Sequence, residues 1–166
     1  MFHLYAMDIA VLVKALLCGL FLWTILLFLT DKHEATRRGF KLICGIISLI
    51  ALYGILSYTV LRRIPSDSHN FTFFTAYSNE FWREMFMNGL LYVPFGVSVP
   101  VLIGPWSVLA ALILSVVIES WQFFAGTGLA QGSDVLMNTL GAAIGLIPYM
   151  VVKRLAGING REKSDN

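Results

Sequence analysis

An all-α, polytopic membrane bundle is the fold this sequence predicts, with about five transmembrane helices and an interfacial helix before the third. Three observations predict it. The 166 residues are 57% hydrophobic, well above the roughly 45–50% of a soluble domain. Apolar runs of about 20 residues, enough to cross about 30 Å of hydrocarbon, follow one another along the chain. No ten-residue alternating pattern of a barrel strand appears, which leaves helices to satisfy the backbone in lipid.

The first span is expected over residues 9–30, with Lys14 near its end able to carry its ammonium to the interface. No basic segment precedes it, so it reads as a retained span rather than a cleaved signal. The second, over 42–61, carries no charge. Residues 62–85 are crowded with Phe71, Phe73, Phe74, Tyr77, Phe81 and Trp82, rings that favour the headgroup region. From Ser78 onward, Glu80, Arg83 and Glu84 share one helical side and Phe81, Trp82, Met85 and Phe86 the other, which predicts an interfacial helix. The third span, over 86–103, holds Pro94 and Pro100 and should be kinked or broken near its middle. The fourth covers 105–125. The fifth covers 134–152, opened by Ser133 and Asp134 in capping positions and closed by the charged stretch from Lys153.

Basic residues sit in flanks rather than in a patch, and a net charge of +2 gives no reason to expect nucleic acid. Lys32, Arg37, Arg38, Lys41, Lys153, Arg154, Arg161 and Lys163 fall on one side of the membrane, against Arg62, Arg63 and Arg83 on the other. The positive-inside rule then puts the N-terminus outside and the C-terminus in the cytoplasm. Cys18 and Cys44 lie inside spans without a CxxC or clustered His, so no disulfide framework, metal site or cofactor is expected. One domain is expected over 1–166, its polar tail at 153–166.

Only two charged side chains, Glu119 and Asp134, stand between Glu84 and Lys153. An ionisable group at membrane depth is costly and marks a functional site by default. At about 1.5 Å per residue, Glu119 lies about 9 Å from the outer end of span four and Asn138 about 6 Å below Asp134. Asn88 occupies the first turn of span three. Ser115, Glu119 and Gln122 share one helix face, and Asp134 and Asn138 another. Asn88, Glu119, Gln122, Asp134 and Asn138 are therefore expected to converge on one outer-leaflet pocket, with Glu119 hydrogen-bonded to Gln122 or Asn138. Gly141 and Gly145 form a GxxxG step that lets a neighbouring backbone approach.

Three stretches in order, NGLLYVPFG at 88–96, IESWQ at 118–122 and SDVLMNTLGAAIG at 133–145, resemble the VanZ-like family. NFTFF at 70–74 and FWRE at 81–84 resemble the segment that precedes them there, so the family core falls at about 70–145. The resemblance implies Asn88, Pro94, Gly96, Glu119, Gln122, Asp134, Asn138 and Gly141 as signature positions. It also implies a link to teicoplanin-type glycopeptide resistance at the cell envelope, without supplying a reaction. The sequence departs from the family at GTGLAQG, 126–132, where many members carry an Arg and an Asp, and at Phe73, where Pro is common.

Three classes of function follow. The pocket binds an amphiphilic envelope molecule, a lipid-linked cell-wall precursor or a glycopeptide, beside membrane lipid. Alternatively Glu119 and Asp134 act as acid and base on a lipid headgroup or wall precursor, an enzyme whose catalytic residues are otherwise unknown. The third class is a non-catalytic scaffold for partner membrane proteins.

Overall fold

The computed structural model describes residues 2–30, 34–61, 71–73, 79–127 and 130–162. Six helices account for nearly all of them: α1 (Phe2–Thr30), α2 (Glu34–Leu56), α3 (Asn79–Ser98), α4 (Pro100–Ile103), α5 (Trp106–Ala125) and α6 (Gly132–Glu162). A π-helical turn, Ser57–Leu61, ends α2. Two two-residue strands, β1 (Phe71–Thr72) and β2 (Ala130–Gln131), pair in parallel.

Among the described residues four helical stretches are long and apolar enough to cross a membrane: Val13–Thr30, Thr36–Leu61, Trp106–Ala125 and Gly132–Ala156. They match the expected spans one, two, four and five. The expected third span differs. Its helix starts at Asn79, so the interfacial segment and the start of the span are one continuous α3, and its first turns carry charge. The break falls at Val99, not at Pro94, which sits inside α3. Val99 still donates to Phe95 O at 3.0 Å. Pro100 has no N–H to continue the ladder, so the helix restarts as α4.

Residues 1–40 and 148–166 form one compact unit. Inside it Leu27, Thr30, Phe40 and Val152 are buried, and the rings of Trp23 and Phe40 lie 5.4 Å apart. Lys14 is exposed, as snorkelling requires. α6 continues beyond the expected stop at Val152, because Lys153 and Arg154 are good helix formers; Arg154 is exposed and the Lys153 ammonium lies 5.9 Å from the centre of the Tyr149 ring one turn earlier.

Residues 41–147 form the second unit, with a core of Ile55, Tyr92, Phe95, Val99, Ala111, Ile118 and Ala142. Lipid gives no hydrophobic drive between helices, so close backbone packing has to hold them. A Cβ on Gly141 would collide with the Gly89 carbonyl, one on Gly96 with the backbone of Ala142, and one on Gly145 would stand 2.6 Å from Val93 O. α3 and α6 thus meet backbone to backbone along two turns. Gly104, at φ 64°, reverses the chain between α4 and α5, and Gly126, at φ 61°, closes α5 by donating to Phe123 O.

Candidate functional site

Polar side chains inside an apolar bundle have to find partners, and here they do so at one end of α5 and α6. Ser115 is fully buried, and Glu119, Gln122, Asp134 and Asn138 are nearly so. Asn138 Nδ2 donates to Ser115 Oγ at 2.8 Å, tying α6 to α5. Gln122 Nε2 donates to the Thr59 carbonyl at 2.9 Å. That carbonyl lies in the last turn of its helix, where oxygens lack an intrahelical donor, so Gln122 acts as a cap supplied from another helix.

Glu119 Oε2 accepts the backbone N–H of Gln131 at 2.9 Å. Gln131 belongs to β2, which pairs with β1 in the register Phe71 with Ala130 and Thr72 with Gln131. Ser133 N extends the contact by donating to Phe73 O at 3.2 Å. The carboxylate therefore holds the loop before α6 and, through it, the segment before α3. Asp134 stands in the first turn of α6, where a carboxylate complements the helix dipole.

The hydrogen bonds expected from Glu119 to Gln122 or Asn138 are replaced by these. Gln122 Oε1 and Asn138 Oδ1, the oxygens that such bonds would use, have no partner among the described residues. Each amide is instead drawn by its N–H to an acceptor already fixed on another element, Thr59 O or Ser115 Oγ.

Asn88 is half-buried and makes no hydrogen bond among the described residues. Its neighbour Gly89 faces Met137 and Gly141, which puts Asn88 beside the level of Asn138 on the adjoining helix. Tyr92 is fully buried, and its hydroxyl is unpartnered among the described residues. Sequence reading missed Tyr92 as part of this cluster, because a tyrosine in an apolar run looks like a core ring. Tyr77 and Phe74, expected in the aromatic belt, lie outside the described residues, as do Arg62 and Arg63.

A cavity of about 670 Å³ opens between α5 and α6. Leu112, Val116, Phe123 and Phe124 wall it from one helix and Val135 and Leu136 from the other, with Phe73 and Ala130 at the loop end. Of the five residues expected to form a pocket, only Glu119 lines it. Gln122 is turned instead to the Thr59 carbonyl of the π-helical turn and Asn138 to Ser115 of α5.

These features define a multi-pass helical membrane protein with a buried polar cluster around one carboxylate at the end of a helix pair. The chain belongs to the VanZ/LLP1 family, whose model matches residues 14–153. It is 36% identical over 100 residues to protein VanZ of Enterococcus faecium, a match covering 57% of this chain and 61% of that protein. The chain thus spans about three fifths of the length of that relative. No solved structure matches it.

Proposed function

We propose that the polar cluster around Glu119 binds an amphiphilic molecule of the cell envelope, a lipid-linked wall precursor or a glycopeptide, and that this binding underlies a resistance role of the teicoplanin type. The single observation that carries the reading is the position of Glu119: the one ionisable side chain on the wall of a largely apolar cavity. An ionisable group kept at that depth is expensive, and binding gives a reason to keep it. The excess of basic residues in the flanks that would be cytoplasmic supports an outward-facing cluster, with the N-terminus outside and the C-terminus in the cytoplasm.

The test is the pair Glu119→Gln and Asp134→Asn in cells that depend on this chain for growth on teicoplanin. Resistance is lost while membrane abundance and thermal stability stay at the parental level. Resistance that survives both substitutions rejects the binding site, and a fall in abundance instead assigns the two carboxylates to the scaffold.

A further inference from the structure

We infer that the membrane face on which α2 begins and α6 ends binds the phosphate heads of anionic phospholipids, with Arg38 and Arg154 as the principal contacts. The inference is independent of the binding role proposed above. The bond from Gln122 to the Thr59 carbonyl seats the end of α2 beside the end of α5, and the bond from Gln131 to Glu119 ties the strand before α6 to that same end. α2 and α6 therefore run in opposite directions, and the start of one emerges with the end of the other. Both of those ends belong to the compact unit of residues 1–40 and 148–166, in which Phe40 and Val152 are buried.

Each of these two buried residues is flanked by a pair of cations. Arg37 and Arg38 precede Phe40, and Lys153 and Arg154 follow Val152. The membrane-crossing stretches begin at Thr36 and end at Ala156, so at about 1.5 Å per residue all four stand within about 5 Å of a span end. That is the level of the headgroups, where the phosphates of a bilayer lie. Arg37 and Lys153 have partners within the protein. Arg38 and Arg154 are exposed and carry the assignment.

Charge decides what occupies this face. In the flanks 31–41 and 153–166 eight basic residues stand against four acidic ones, Asp31, Glu34, Glu162 and Asp165, so positive charge remains after every carboxylate has been paired. A guanidinium is always charged, and its planar fork binds phosphate through two parallel N–H bonds. Orientation alone needs basic residues only within about 15–20 residues of a span. Their concentration in the first turn of one span and the last turn of another, inside one compact unit, is what a lipid head requires. A soluble polyanion is a poorer occupant. It would have to displace the headgroup layer to reach side chains at the hydrocarbon edge, and a net charge of +2 over the whole chain gives it little long-range attraction.

The experiment is native mass spectrometry of the full chain, released from detergent micelles with equimolar dioleoyl phosphatidylglycerol and dioleoyl phosphatidylcholine, and read as the ratio of the two bound lipids. The parental chain retains mainly phosphatidylglycerol. Arg38→Gln and Arg154→Gln each cut the ratio about fivefold and the pair about 25-fold, the factors given by about 1 kcal/mol per basic side chain near the surface. Lys14→Gln removes the same charge from an exposed residue at the start of the first membrane-crossing stretch and leaves the ratio unchanged. Arg38→Lys with Arg154→Lys keeps the charge and holds the ratio above that of the glutamine pair. Salt supplies a readout that needs no variant: about 0.5 M ammonium acetate screens exposed charges beyond a few ångströms and lowers the parental ratio. A parental chain that holds the two lipids equally, an equal loss in Lys14→Gln, a ratio that survives the glutamine pair, or a ratio indifferent to salt overturns the inference. Soluble glycerol 3-phosphate that displaces phosphatidylglycerol at the same concentration overturns the membrane as the source of the phosphate.

Discussion

Glu119 reaches across twelve residues to accept the amide of Gln131 at 2.9 Å. One buried carboxylate oxygen thereby anchors β2, and the ladder to β1 passes the restraint to a segment about sixty positions earlier in the chain. Leaving a shielded N–H without its acceptor costs about 1–3 kcal/mol. Glu119→Ala should lower stability by that amount and speed hydrogen exchange at the Gln131 amide. Glu119→Gln keeps an acceptor oxygen there and should retain most of the stability. Thermal unfolding in detergent and exchange followed by mass spectrometry measure both.

Gly141→Ala and Gly96→Ala each drive a methyl into backbone of the facing helix. Neither α3 nor α6 can yield without loss of the other contacts along the seam, so each substitution should cost about 1–3 kcal/mol. Gly19→Ala meets nothing within 4 Å. It should be neutral or stabilise by up to about 1 kcal/mol through helix propensity. The contrast is read from midpoints of thermal unfolding.

The bond from Asn138 to Ser115 is a direct polar link between α6 and α5. A double-mutant cycle of Asn138→Ala and Ser115→Ala should return a coupling of about 0.6 kcal/mol, and no more than about 1.7 kcal/mol, the range of such bonds in bilayers. Additive single effects would show that the pair contributes no coupling.

Gln122→Met keeps the volume but removes the donor that Thr59 O receives. The expected loss is roughly 1 kcal/mol, accompanied by faster exchange across the π-helical turn Ser57–Leu61. Exchange unchanged there would show that the turn holds without its cap.

Much of this architecture was written in the residues. Hydropathy located four spans, charge scarcity singled out Glu119 and Asp134, and helical spacing placed Ser115, Glu119 and Gln122 on one face. The buried state of four of the five expected site residues follows from the same spacing. Their partners were not legible, for a physical reason. Gln131 N–H and Thr59 O are backbone groups, which every residue carries and no motif marks. The pairing of β1 with β2 spans two residues on each side, too short for a period-two pattern. The continuity of α3 was hidden by its own charges, because Glu80, Arg83 and Glu84 lower its hydropathy without interrupting its helix.

The glycine seam has a mechanical consequence. With carbonyls of α3 seated where side chains of α6 would otherwise stand, neither helix can slide or roll past the other, and the two behave as one stiff beam. α5 packs against that beam through Ala111 and Ile118 of the shared core, and two hydrogen bonds add to the packing, Asn138 to Ser115 and the Gln131 amide of β2 to Glu119. Prying α5 from α6 would therefore have to break the Ala111 and Ile118 packing together with the Asn138 and Glu119 bonds.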